Sequence, residues 1–158
     1  KTDKETADKA LQFIIDEKPA LTFIHFDQPD GTGHEIGHDT PEYYQTVEGI
    51  DSLVFHIVDT LKKNGMMDDT VIIFSSDHGG IGKGHGGKTL AEMEIPWIIY
   101  GANIPANGEL ESSIVTYDTA ATIAYILGLK TPDFWRGKPI MEAFEVKDKK
   151  PWGFRFCA

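Results

Sequence analysis

The hydrophobic positions of the chain switch between helical and strand-like spacing. Apolar residues at helical intervals follow TDKE at residues 2–5, a capping-box pattern, and predict a helix over residues 3–17. Residues 20–26, ALTFIHF, form a short apolar run rich in β-branched and aromatic side chains, which predicts a strand buried on both faces. A polar, glycine-rich stretch at residues 27–38 comes directly after this predicted strand.

The same order is repeated further along the chain. Asp39 or Thr40 caps a second helix with Pro41 in its first turn, and Asn64-Gly65 ends it. Further elements are predicted as strands at 70–74 and 96–100, a glycine-rich loop at 75–88, a helix at 119–127 ended by Gly128, and a solvated connector after Phe144 that leads to the aromatic end WGFRF. This alternation predicts an α/β fold with a mostly parallel sheet and helices on both faces.

The composition of the chain argues against nucleic acid as a partner. A chain of 158 residues with a net charge of -10 lacks the clustered Lys and Arg that bind a nucleic-acid backbone. No apolar stretch approaches the roughly 20 residues that span a bilayer. The first residue is Lys1, with no methionine before it, which is typical of a processed or truncated product.

The glycine-rich loops carry residues that bind metal ions. Asp30 and His34 are four residues apart and share one face if their loop begins a helical turn. Asp77 and His78 directly follow the second predicted strand, and His85 lies seven residues after His78. Oxygen and nitrogen ligands without a thiolate favour zinc or manganese. Five ligands exceed the needs of one tetrahedral site, so the sequence predicts two ions.

Other polar residues near these loops have less specific interpretations. His38, one helical turn beyond His34, either supports a metal ligand or merely lies near a helix start, while His56 on the second helix is interpreted as structural. Lys88 either binds a substrate anion or is an ordinary solvated lysine.

These stretches resemble the alkaline phosphatase superfamily, most closely its type I phosphodiesterase/nucleotide pyrophosphatase branch and the related phosphoethanolamine transferases. The resemblance is carried by PDGTGH at 29–34, FSSDHGG at 74–80 and GHGGKTLAEMEIP at 84–96. The segment YDTAATIAYILGLKTPDFWRGKPI at 117–140 is similar to the last helix and closing turn of the superfamily.

The resemblance implies a phosphoric ester hydrolase with a partial alkaline-phosphatase-like fold. It assigns Asp30, His34 and His85 to a first metal ion and Asp77 and His78 to a second. Zinc is the expected metal, with manganese, magnesium or calcium as alternatives. The Ser or Thr nucleophile of the family has no match here, so residues 1–158 are expected to be the C-terminal portion of a catalytic domain that is inactive alone.

Other functions remain open from the sequence. A sulfatase or a phosphomutase of the same superfamily and a non-catalytic metal-binding module are the alternatives to a phosphoesterase. The expected partner is a small phosphate or sulfate ester. The resemblance implies a periplasmic or extracellular location, and a truncated sheet is expected to expose an edge through which the chain self-associates.

Overall fold

The computed structural model of this chain describes residues 2–106 and 108–145, and the chain divides into two compact units, 1–102 and 103–158. The predicted connector and its aromatic end lie largely outside the described residues, from residue 146 onward. The elements are α1 (Asp3–Glu17), α2 (Asp30–Glu35), α3 (Pro41–Lys63), β1 (Val71–Ser75), α4 (Leu90–Met93), β2 (Trp97–Gly101), α5 (Asp118–Ile126) and a 3-10 helix (Met141–Ala143).

The two long helices of the first unit begin at the caps that the sequence predicts. The Thr2 hydroxyl accepts from the Glu5 amide at 3.2 Å, and the Glu5 carboxylate accepts from the Thr2 amide at 3.1 Å, which completes the capping box of α1. Thr40 caps α3, because its hydroxyl accepts from the Tyr43 amide at 3.2 Å. Asn64 ends α3, and Gly65 follows with a φ of 66°.

The core of the first unit lies between α1 and α3. Their buried side chains form one cluster, contributed by Ala7, Leu11, Ile57 and Leu61. Ile24, Phe26 and the β1 residue Ile72 pack against this cluster. Apolar burial of this kind is the main stabilising contribution in a small unit, and it fixes the segments on either side of the glycine-rich loops.

The predicted mostly parallel sheet is not confirmed. Among the described residues, β1 and β2 form a two-stranded antiparallel sheet in which Val71 pairs with Gly101 and Ser75 pairs with Trp97. A parallel pair requires a crossover that returns the chain to the starting end of the sheet. Here the link between the strands contains only the single-turn helix α4, so the chain re-enters the sheet at the end where it left.

The predicted strand at residues 20–26 is also wrong in its pairing and burial. Within the described part of the chain, no backbone group of residues 21–26 makes a hydrogen bond, so this segment has no strand partner. Its side chains alternate, with Ile24 and Phe26 packed on the core while Leu21 and Phe23 are 57% and 88% exposed. The apolar run therefore has one buried and one open face rather than two buried faces.

The second unit is organised around α5, whose first and last residues each differ by one position from those of the predicted helix at 119–127. Gly128 follows the helix with a φ of 66°. Thr122 is completely buried there. Its hydroxyl donates to the Asp118 carbonyl at 2.8 Å and accepts from the Ile140 amide at 3.0 Å. These hydrogen bonds attach the segment at Ile140 to α5.

The open face of residues 21–26 leads us to expect self-association. Unpaired backbone groups beside exposed apolar side chains favour strand pairing between chains. Phe23→Lys should shift the chain toward the monomer in sedimentation velocity experiments, because a lysine at this position opposes edge pairing. The control is Phe55→Lys, at an exposed phenylalanine on α3. A parent chain that is monomeric at all concentrations would contradict the expectation.

Candidate metal centre

Helix α2 brings Asp30 and His34 together as the sequence predicts. The segment forms one and a half helical turns, and Gln28 secures its start because the Gln28 side-chain oxygen accepts from both the amide and the hydroxyl of Thr32, each at 3.0 Å. Residues four apart on a helix share a face. The His34 Nε2 atom consequently lies 3.5 Å from Asp30 Oδ1.

The third member of the cluster comes from residues 79–87, here called the glycine loop. His85 Nε2 lies 3.1 Å from His34 Nε2 and 3.6 Å from Asp30 Oδ1. The ligand atoms of Asp30, His34 and His85 all lie within 4.8 Å of one another. One carboxylate oxygen and two imidazole nitrogens converge on a single point, the arrangement of a three-ligand metal site.

The Asp30 carboxylate shows that this point is suited to a cation. About half of the Asp30 side chain is exposed, but its Oδ1 atom is buried and has no hydrogen-bond partner among the described residues. A buried carboxylate oxygen without a partner is costly, and such orphaned atoms are rare in folded proteins. A bound metal ion would satisfy this oxygen, so the residues present fit the group.

Hydrogen bonds at Nδ1 orient the imidazoles of His34 and His78 and leave their Nε2 atoms available to bind a metal ion. His34 Nδ1 lies 3.0 Å from the Lys83 carbonyl, and His78 Nδ1 lies 2.8 Å from the Gly79 carbonyl. A carbonyl oxygen only accepts, so each Nδ1 must carry the proton. In the neutral ring this leaves an unprotonated Nε2, which is the form of histidine that binds a metal.

The other predicted pair, Asp77 and His78, lies beside the cluster. The rings of His78 and His85 stack with centroids 3.6 Å apart and an interplanar angle of 19°. Asp77 Oδ2 is 3.5 Å from His78 Nε2, although the Asp77 side chain is 80% exposed. His78 is therefore in direct contact with the three-residue cluster, whereas Asp77 lies at its solvent side.

The glycine loop is held in place at its middle and at its start. Lys83 Nζ donates to the Glu35 carbonyl at 2.8 Å, which ties the loop to the last turn of α2. The Gly79 amide donates to the Glu92 carbonyl at 2.9 Å, and a Cβ at Gly79 would lie 2.1 Å from the Ala91 carbonyl oxygen. Only glycine permits this approach of the two backbones. Lys88 is exposed.

Glu92 organises the end of the loop. Its carboxylate accepts from the Gly87 amide at 2.8 Å and from the Thr89 hydroxyl at 2.6 Å. These hydrogen bonds, the Thr89 hydroxyl first, lower the pKa of Glu92 from its ordinary value. Thr89 and Glu92 have the spacing of a capping box, which is a signal in the sequence that our predictions did not use, whereas no sequence pattern marks the Gly87 contact.

Tyr43 is a residue near the site that sequence reasoning missed. Burial, and then the negative charge of Asp30, raise the pKa of the Tyr43 phenol. The Tyr43 ring also packs against His38, with ring centroids 5.1 Å apart. In the sequence Tyr43 is simply an aromatic residue in the first turn of α3, and no spacing marks it as close to Asp30.

Comparison with known proteins identifies the family of the chain. A model of the type I phosphodiesterase / nucleotide pyrophosphatase family matches residues 2–83. The chain belongs to this family. The match confirms the resemblance to the alkaline phosphatase superfamily and includes four of the five predicted ligands, with His85 lying just beyond it.

Individual relatives cover most of this chain but little of their own length. The rat ectonucleotide pyrophosphatase/phosphodiesterase family member 7 is 27% identical over 122 residues, which is 68% of this chain and 28% of the relative. A Drosophila melanogaster extracellular sulfatase SULF-1 homolog is 29% identical over 103 residues, 61% of this chain and 9% of the relative. The chain thus spans less than a third of either protein.

A solved structure shares the fold. The crystal structure of Ps i-CgsB aligns with 90% of this chain and 38% of its own, with a TM-score of 0.65 and 21% sequence identity. The fold of the chain is therefore that of a piece of a larger known architecture.

The contacts of Glu92 generate a prediction about its ionisation. Replacing Thr89 with Val removes the hydroxyl that contributes most to the lowered pKa of Glu92, so this pKa should rise. The pKa is lower in the folded chain, so its contribution to stability is present above the ordinary value of 4.5 and is lost as the pH falls through the folded value. Carboxyl ¹³C NMR titration measures the change; an unaltered Glu92 titration in Thr89→Val would contradict it.

Proposed function

We propose that this chain supplies the metal site of a metal-dependent phosphate ester hydrolase, a phosphodiesterase or phosphatase. In this proposal the phosphoryl group is transferred to a Ser or Thr nucleophile contributed by a segment N-terminal to residues 1–158. Membership of the type I phosphodiesterase / nucleotide pyrophosphatase family supports this reaction class.

The observation that carries the proposal is the buried Asp30 Oδ1 atom. It faces the Nε2 atoms of His34 and His85 at 3.5 and 3.6 Å and has no other partner among the described residues. A structural ion pair would give this oxygen a hydrogen-bonding geometry, which neither distance provides. A divalent cation accounts for all three side chains at once.

We assign two ions, most consistently zinc, to the site. Asp30, His34 and His85 hold the first, and Asp77 and His78 contribute to the second. Imidazole ligands favour zinc over magnesium or calcium, which prefer oxygen, while manganese remains compatible with the ligand set. Bound metal ions supply charge stabilisation for the phosphoryl and leaving oxygens of an in-line displacement.

The residues of this chain then have distinct tasks. The Lys83 carbonyl accepts a hydrogen bond from His34 Nδ1 and thereby keeps the His34 Nε2 atom unprotonated in the neutral ring. The His34 side chain is 49% exposed, so the ligand cluster is open to solvent on one side and a small ester can reach it. Lys88, exposed just beyond the glycine loop, is a weak candidate for contacting the substrate anion.

A sulfatase is the second candidate function, because a sulfatase is among the relatives. Sulfuryl and phosphoryl transfer both place negative charge on the oxygens around the transferred atom. A calcium-type sulfatase site would favour oxygen ligands, however, and the paired imidazoles of His34 and His85 favour zinc. A phosphomutase and a non-catalytic metal-binding module remain further alternatives for the same ligands.

The word extracellular in the name of the sulfatase relative supports a location outside the cytoplasm, periplasmic or extracellular. Within the described part of the chain, no helix has the length and apolar character required to cross a membrane.

Zinc calorimetry tests the metal site directly. We expect the parent chain to bind about one equivalent of zinc tightly through its complete three-ligand site, because Asp77 and His78 provide only two ligands for the second ion. His34→Ala should weaken this binding more than the roughly 10- to 100-fold typical of an outer-sphere change, since it removes a ligand. Asp77→Ala should have a small effect, because Asp77 lies at the solvent side.

The control for this experiment is His56→Ala, which removes an exposed histidine on α3. Parent-like zinc binding by His34→Ala would refute the assignment of the first site. Absence of zinc binding by the parent chain at micromolar concentration would refute metal binding by these residues alone.

Catalysis by the chain is tested separately. We expect negligible hydrolysis of bis(p-nitrophenyl) phosphate by the 158-residue chain with zinc present, because no residue in it is assigned as the attacking group. The release of p-nitrophenol measures the rate against a zinc-only control. Zinc-dependent turnover that disappears in His34→Ala would contradict the expectation that the chain is inactive alone.

A further inference from the structure

We propose that His38 is a positioning residue that sets the separation of the two elements carrying the metal ligands. Helix α2 bears Asp30 and His34, and the glycine loop bears His85. His38 lies outside the ligand cluster and binds the loop from just beyond the end of α2. This inference rests on the proposed metal site, because the positioned groups are its ligands.

Two hydrogen bonds attach His38 to one atom of the glycine loop. The Gly82 carbonyl accepts from the His38 amide at 2.7 Å and from the His38 Nδ1 atom at 3.1 Å. A carbonyl oxygen has two lone pairs, so this acceptor is fully used by a single residue. The backbone and the side chain of His38 together fix where the middle of the loop lies.

The His38 ring also occupies a slot that two glycines create. A Cβ at Gly33 would lie 2.5 Å from His38 Nε2, and a Cβ at Gly80 would lie 2.1 Å from the same atom. Gly33 belongs to α2 and Gly80 to the glycine loop. The imidazole is therefore packed between both ligand-bearing elements, and neither glycine can carry a side chain without displacing it.

The third side of the slot is formed by α3. The Tyr43 ring packs against His38 with centroids 5.1 Å apart at an angle of 47°. His38 thus contacts the first turn of α3 as well as both ligand-bearing segments. An exposed histidine near a helix start, the simpler interpretation, would have none of these three contacts.

Loss of the His38 contacts would impair the metal site because metal coordination tolerates only small displacements of its ligands. Zinc–nitrogen bonds have lengths of about 2.0–2.1 Å, and a shift of roughly 0.5 Å in one ligand is enough to impair a site. If the His38 side chain is lost, its backbone amide still donates to the Gly82 carbonyl, and the contacts of Lys83 with His34 Nδ1 and the Glu35 carbonyl remain. None of these contacts fills the slot between Gly33 and Gly80, so α2 and the loop can move relative to each other and carry His85 away from its position beside His34.

The experiment compares zinc affinity in His38→Leu, His38→Asn and the parent chain by calorimetry, with metal-free melting temperatures by circular dichroism. Leu fills space without a donor, whereas the Asn amide nitrogen can donate to the Gly82 carbonyl from the position of Nδ1. We expect the Kd for zinc to rise about 10- to 100-fold in His38→Leu, the range seen for residues that support a ligand, and to recover in His38→Asn. His56→Ala is the control.

A Kd within about twofold of the parent in a folded His38→Leu would overturn this inference and leave the metal site standing. If the parent chain binds no zinc, the proposed function itself fails and the inference fails with it.

If His38→Leu does not fold, Gly80→Ala decides in its place, because it displaces the ring without removing it. Gly84→Ala is its control, since a Cβ at Gly84 meets no atom within 4 Å, and equal zinc affinity of these two variants would overturn the inference.

Discussion

The structure of the site depends on one buried oxygen atom. Asp30 Oδ1 is withdrawn from solvent without a hydrogen-bond partner among the described residues, and two imidazole nitrogens face it. Desolvating a carboxylate oxygen is unfavourable unless a positive charge or a donor compensates for it. The surrounding fold can keep this oxygen buried only because α2 and the glycine loop are held against each other. The contacts of Lys83 and His38 serve that purpose, while the Gly79 amide ties the start of the loop to the Glu92 carbonyl.

The antiparallel pairing of β1 and β2 is what allows the glycine loop to reach Asp30. The link from β1 to β2 leaves and re-enters the sheet at the same end, so residues 76–96 are gathered above that end. The Gly79 amide and the Glu92 carbonyl close the base of this link at 2.9 Å. A helical crossover would instead direct the chain away along the sheet. His85 can meet Asp30 because the chain stays at the ligand end.

Sequence reasoning reached the helices and the proximity of Asp30 to His34, but not the pairing of strands. Capping residues act locally, so Thr2 and Thr40 marked the starts of α1 and α3 in advance, and helical spacing likewise placed Asp30 beside His34. The direction of β2 depends on which distant segments meet, and an apolar run alone contains no such information. For the same reason the slot that holds the His38 ring becomes visible only in the folded chain.

The charge of the proposed site differs in sign from that of the whole chain. The chain carries a net charge of -10, which would repel a phosphate ester from most of its surface. In the proposed first site, a divalent ion held by one carboxylate and two neutral imidazoles would leave a local excess of positive charge. The choice of histidines over further carboxylates preserves that excess, since each added carboxylate would cancel part of it. An acidic protein can therefore attract an anionic ester to this one position, without a cluster of lysines beside it.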